Sequence, residues 1–83
     1  MDNKPLKEKY QHMLEWHQYR LEQNQESLNR LTELLPKLGH EPDEDAVYLA
    51  DYEELLSLKL IYETSLRNFD GKIAKYEQLL AEL

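Results

Sequence analysis

Two residue rows that keep a seven-residue period along nearly the whole chain constrain its fold more than any other feature. Leu14, Leu21, Leu28 and Leu35 form one row; Tyr10, His17, Asn24, Leu31 and Leu38 fall between them at alternating steps of three and four. The pattern resumes at Tyr48, with Leu55, Tyr62, Phe69, Tyr76 and Leu83 in one row and Tyr52, Lys59, Leu66, Ile73 and Leu80 in the other. Steps of three and four gather side chains onto one stripe of an α-helix, whereas a half-buried strand needs a period of two. The spacing therefore predicts an all-α chain with coiled-coil seams, helix one over about 4–36, a loop over about 37–43 and helix two over about 44–83.

Local punctuation agrees. Asp2 or Asn3 can cap the first helix and Pro5 is tolerated in its first turn. Pro36 and Gly39 are stop signals, by loss of an N–H and by access to the left-handed conformation. Asp43, Glu44 and Asp45 stand where a helix N-terminus favours anions. The weak point is Asn68-Phe-Asp-Gly71, where Asp70 could cap a third helix; a three-helix bundle with a break near 68–71 is the alternative architecture. Gly71 costs only about 1 kcal/mol inside a helix and lies on the outer side of an unbroken heptad, which favours continuity.

Folding the chain back at the loop gives an antiparallel hairpin with helices of roughly 50 Å. One register sets Leu35 opposite Tyr48, Leu31 opposite Tyr52, Leu28 opposite Leu55, Leu21 opposite Tyr62, His17 opposite Leu66, Leu14 opposite Phe69 and Tyr10 opposite Ile73. The two most polar seam residues, Asn24 and Lys59, then face each other, where slippage would set each against a hydrophobe.

The 83 residues form one helical domain, small enough that a single core is a thin source of stability. Helix two carries apolar residues beyond its seam, among them Val47, Leu49, Leu56, Leu58, Leu60, Ile61 and Leu79, and helix one adds Leu6, Met13 and Leu34. That excess is wider than one partner helix can cover. Two hairpins dimerising into a four-helix bundle would cover it, as would the helices of another protein.

Charge and composition exclude several function classes. The net charge is −7, and seven acids with no Lys or Arg lie in one segment: Glu41, Asp43, Glu44, Asp45, Asp51, Glu53 and Glu54. Direct nucleic-acid binding, which needs a basic face, is disfavoured. No cysteine is present, so disulfides and zinc–thiolate sites are excluded. No apolar run approaches the length of a membrane span, and the N-terminus lacks the apolar core of a signal peptide; a cytoplasmic protein is expected. Gly-rich phosphate loops and nucleophile–base arrangements are absent, so no catalytic residue, cofactor or small-molecule substrate is expected.

The stretch His12-Met-Leu-Glu-Trp-His-Gln-Tyr-Arg-Leu21 divides in the heptad frame. Leu14, His17 and Leu21 face the seam; His12, Trp16 and Tyr19 line the opposite side at steps of four and three. Trp and Tyr are enriched at the energetic centres of interfaces, which makes His12, Trp16 and Tyr19, with Leu56, Leu58 and Ile61 of helix two, the candidate partner-binding residues. Glu8, His12 and Glu15 share a face at ligand spacing, but one histidine among helix-surface acids is a common pattern, and no metal is expected. The expectation is a non-enzymatic protein–protein interaction module, such as a helical adaptor, co-chaperone or regulatory subunit, binding itself, another protein or both. The alternative is a small acidic inhibitor, of the antitoxin or phage counter-defence kind, that blocks a basic site on an enzyme through the acidic segment.

Overall fold

A computed structural model of the chain describes residues 3–38 and 45–83. They form two helices, α1 (Lys4–Leu38, 35 residues) and α2 (Ala46–Glu82, 37 residues), packed side by side as an antiparallel hairpin. At about 1.5 Å per residue each helix is a little over 50 Å long. The Cα radius of gyration is 18.9 Å, against about 12 Å for a compact domain of this length. The cross-section, 17 × 15 Å, has room for two helices and no third layer.

Both helices follow from composition and pattern together. Between Lys4 and Leu38 the only β-branched residue is Thr32, and Leu, Glu, Gln, Lys and Arg dominate. Asn3 accepts the first helical bond from the Lys7 N–H through its carbonyl, at 2.8 Å. Asp45 does the same for Leu49 at 3.0 Å. Asp45 stands at the N-cap of α2, yet its side chain makes no capping hydrogen bond. Its stabilising effect there is therefore limited to charge against the helix dipole. Asp2, Gly39, His40, Glu41, Asp43 and Glu44 lie outside the described residues.

Every residue of the two heptad rows is buried or half-buried, apart from Leu83 at the C-terminal end. In heptad letters the a positions of α1 are Leu14, Leu21, Leu28 and Leu35, and its d positions run from Tyr10 to Leu38; α2 has Tyr52 to Leu80 at a and Tyr48 to Tyr76 at d. Among the described residues the four buried side chains, Leu14, His17, Asn24 and Leu31, all belong to α1. Of these, His17 lies between the rings of Phe69 and Tyr76, while the seam residues of α2 are half-buried apart from Leu83 and none is fully buried.

Two sequence expectations need correction. α1 does not stop at Pro36 but runs through it to Leu38. Proline there forfeits one bond to the Thr32 carbonyl, in a last turn where few bonds remain to be lost. Continuing the helix brings Leu38 onto the seam, where its carbonyl accepts a 2.7 Å hydrogen bond from the Tyr48 hydroxyl. The expected register, which set Asn24 opposite Lys59 and His17 opposite Leu66, is shifted, because His17 lies between the rings of Phe69 and Tyr76. Asn24 Nδ2 instead donates to the Arg20 carbonyl one turn back, at 2.9 Å.

The cross-helix ring contacts join Tyr10 to Tyr76 (5.8 Å), His17 to Phe69 (6.0 Å) and His17 to Tyr76 (5.8 Å). Tyr76 and Phe69 lie three residues past Ile73 and Leu66, the residues expected opposite Tyr10 and His17, whereas the His17–Tyr76 contact lies ten residues past, so His17 sits opposite the interval between Phe69 and Tyr76 and not opposite Leu66. Side chains on both helices lean toward their own N-termini, which in an antiparallel pair carries ring tips past each other in that sense.

α2 is continuous across Asn68–Gly71, so the three-helix alternative does not hold. Gly71 is exposed in mid-helix, and a Cβ built on it meets nothing within 4 Å. Gly71→Ala should therefore raise unfolding stability by about 0.5–1 kcal/mol, the difference in helix propensity. Denaturant unfolding followed by circular dichroism checks it; a loss of stability would mean that the chain turns there.

Candidate functional site

The aromatic-rich turn of α1 lies at the open end of the hairpin, and its residues divide sharply by side. His17 is 7% exposed and sits between the rings of Phe69 and Tyr76. Its Nδ1 lies 2.6 Å from the Met13 carbonyl oxygen. A carbonyl can only accept, so Nδ1 carries a proton in this arrangement. His17 is thus a packed seam residue with one ring nitrogen committed to its own helix.

Trp16, its neighbour in sequence, is 55% exposed. Its ring lies 5.7 Å from that of Tyr19, itself exposed, and His12 stands exposed one turn earlier. The structure therefore places His12, Trp16 and Tyr19 on one outward side of α1. Arg20 ties this stripe to the seam: its guanidinium carbon is 5.9 Å from the Trp16 ring centroid and 5.9 Å from that of Phe69. At that distance each contact contributes about 0.5–1 kcal/mol near a surface and holds the indole in place. Arg20 is absent from the sequence-derived candidates. Its position four residues after Trp16 was the available signal, since such neighbours meet on a helix.

The second set of candidates lies on α2. Leu56 and Ile61 are exposed, while Leu58 is half-buried beside the seam and offers less free surface. Leu60 is 66% exposed, more than either, so it belongs with Leu56 and Ile61 on this patch. Asp45, Asp51, Glu53 and Glu54 are all exposed; Glu41, Asp43 and Glu44 fall outside the described residues. Arg30 pairs with Glu26 at 2.6 Å, an ion pair that involves none of these acids.

No group of three or more His, Cys, Asp or Glu among the described residues is placed to hold a metal ion, so Glu8, His12 and Glu15 do not converge. The grooves are open; one is floored by Leu21 and Leu66 and rimmed by Glu22, Gln25, Glu26 and Asp70. Among the described residues no helix is long and apolar enough to cross a membrane. No protein-family model, curated protein or solved structure matches the chain.

Adjacent residues on opposite sides of one helix should respond oppositely to truncation. His17→Ala removes a ring packed against two others and should cost about 2–4 kcal/mol of stability. Trp16→Ala should change it by less than about 0.5 kcal/mol, as for an exposed side chain, plus at most the Arg20 contact. Urea unfolding of the two variants checks this. Equal losses would place Trp16 in the core.

Proposed function

We propose that this chain is a non-enzymatic interaction module, a rigid helical hairpin that presents apolar and aromatic side chains to another protein. The observation that carries the reading is that the hairpin closes its own seam and still leaves Trp16, Tyr19, Leu56, Leu60 and Ile61 exposed on its outer sides. An exposed indole with a guanidinium near its ring and a tyrosine tilted beside it has less conformational entropy to lose on docking than a free one. Trp, Tyr and Arg are also the residue types that dominate measured interface energies. A helix-presenting partner suits this surface, because apolar side chains one turn apart fit the groove-and-ridge packing of a second helix. A cytoplasmic setting is part of the proposal, on a cysteine-free, 33% charged composition.

A second reading, a small acidic inhibitor, has its own support in Asp45, Asp51, Glu53 and Glu54, which are exposed together on the first three turns of α2. Such a surface would dock a basic face and lose affinity steeply as salt rises. Apolar docking through Trp16 would change little over the same range.

The deciding experiment is affinity capture from the native cell with the wild-type chain and with Trp16→Ala/Tyr19→Ala, both shown to be helical by circular dichroism. A specific partner retained by the wild type at moderate salt should be weakened about thirtyfold or more in the variant, as for loss of an interface anchor. A partner held equally by both, and released by 0.5 M salt alone, would favour the acidic reading. If no partner is retained by either, the interaction reading through α1 fails.

A further inference from the structure

We infer that the outer face of α2 is a self-complementary dimer seam, covered by the same face of a second copy of this chain running antiparallel about a twofold axis between Leu60 and Ile61. The inference rests on the interaction reading and assigns one of the hairpin's two outer surfaces to a definite occupant.

The outer face consists of heptad positions b, c and f, the side of α2 that points away from α1. At its middle stand Leu60, 66% exposed, and Ile61, 58% exposed. Down its centre run Ala50, Ser57, Thr64 and Gly71, all exposed and all small. An antiparallel copy centred between residues 60 and 61 sets Leu60 on Ile61 of the second copy, twice by symmetry. The same operation sets Ser57 on Thr64, Ala50 on Gly71 and Val47 on Ala74, so the large pair meets at the axis, small residues flank it and a large residue meets a small one farther out. Val47, among the most exposed large hydrophobics of the chain, is covered by this arrangement.

Charge decides the register. The axis brings Glu54 of each copy onto Arg67 of the other. Both are exposed, and the hydrogen bond recorded for the Arg67 side chain is a long one, 3.5 Å, to Thr64 Oγ1. Glu53 meets Asn68. Of the residues paired between 45 and 76, the like-charged couple is Asp51 with Asp70, and these sit at g and e on the far rims rather than on the face. Sliding the copy by one heptad either way sets Ile61 against Arg67 or Glu53, and Leu60 against Asn68 or Glu54. Each such slip buries a charged or amide group against a hydrophobe, at a desolvation cost. An isologous interface requires the face to complement itself, and the sequence of α2 does so about this centre better than at one heptad to either side. The thin intramolecular core, with four buried side chains, gives the second copy a stabilising role.

The chain has no cysteine, which makes the test clean. In Ser57→Cys/Thr64→Cys, each introduced thiol should face the other across the dimer, and mild oxidation should give a covalent dimer on a non-reducing gel. The two sites in one chain are about 10 Å apart along the helix, beyond the reach of about 7 Å for an intramolecular bridge. Ser57→Cys alone places its own copies at that same separation, so it should cross-link far more slowly. In parallel, Leu60→Asp should keep its helicity and weaken self-association in sedimentation by about thirtyfold or more. Trp16→Ala/Tyr19→Ala should leave the dimer constant unchanged.

Rapid cross-linking by the single variant would mean a parallel or unspecific contact and would overturn the inference. So would a Leu60→Asp chain that associates like the wild type, or a wild type that stays monomeric at about 100 µM. If the Trp16/Tyr19 variant alone abolishes self-association, this surface assignment falls while the interaction reading stands. If neither surface affects any association, both fall.

Discussion

The seam between a row of modest side chains on α1 and a row rich in large rings on α2 holds this molecule together. Leu14, His17, Asn24 and Leu31 are buried; Tyr48, Tyr62, Phe69 and Tyr76 on the facing helix are half-buried, and the rings of Phe69 and Tyr76 flank His17. That asymmetry has two consequences. A ring reaches farther than an aliphatic side chain, so a two-helix seam can exclude water without a third layer. Its cost is that no residue of α2 is wholly withdrawn from solvent, and the helix remains apolar on more than one side. Leu56, Leu60 and Ile61 of α2 accordingly remain exposed after the hairpin has closed its seam.

The polar members of the seam are satisfied within their own helix. His17 bonds to the Met13 carbonyl and Asn24 to the Arg20 carbonyl, each one turn back. Neither needs a partner from α2, and among the described residues no buried polar side-chain atom is left without one. Register is therefore set by which rings overlap rather than by a polar pair across the seam. Arg20 also connects this interior to the outside, its carbonyl accepting from Asn24 while its guanidinium lies between Phe69 and Trp16. The outward indole is thus connected through Arg20 to the same layer that holds the helices together.

Much of this was legible in the sequence because helix periodicity is a property of single residues and their spacing. The seam rows, the outward position of Trp16 and Tyr19 and the continuity of α2 through Gly71 all follow from steps of three and four. What was not legible depends on competition between terms. Pro36 reads as a stop, but its one lost bond is outweighed by seating Leu38 on the seam with its carbonyl bonded to Tyr48. Asn24 and Lys59 read as a facing pair, but the rings of Phe69 and Tyr76 flank His17 and shift the register, while the Asn24 amide returns to its own backbone, which no spacing rule records. Leu58 reads as outward, yet its place beside the seam half-buries it. Arg20 reads as one charge among many until the rings on either side of it are in place.

The central claim is that the two helices of one chain lie antiparallel along their length, leaving their outer sides free. Spin labels at Glu8→Cys and Glu77→Cys, both exposed and at the open end of the hairpin, test it most directly. The doubly labelled chain is diluted into an excess of unlabelled protein, so that only distances within one chain are read by pulsed electron resonance. With helix axes about 8–10 Å apart, the account predicts a single narrow distribution centred at about 15–25 Å. A distribution centred beyond about 40 Å would contradict it, because the two helices would then be splayed or exchanged between chains rather than folded back on each other.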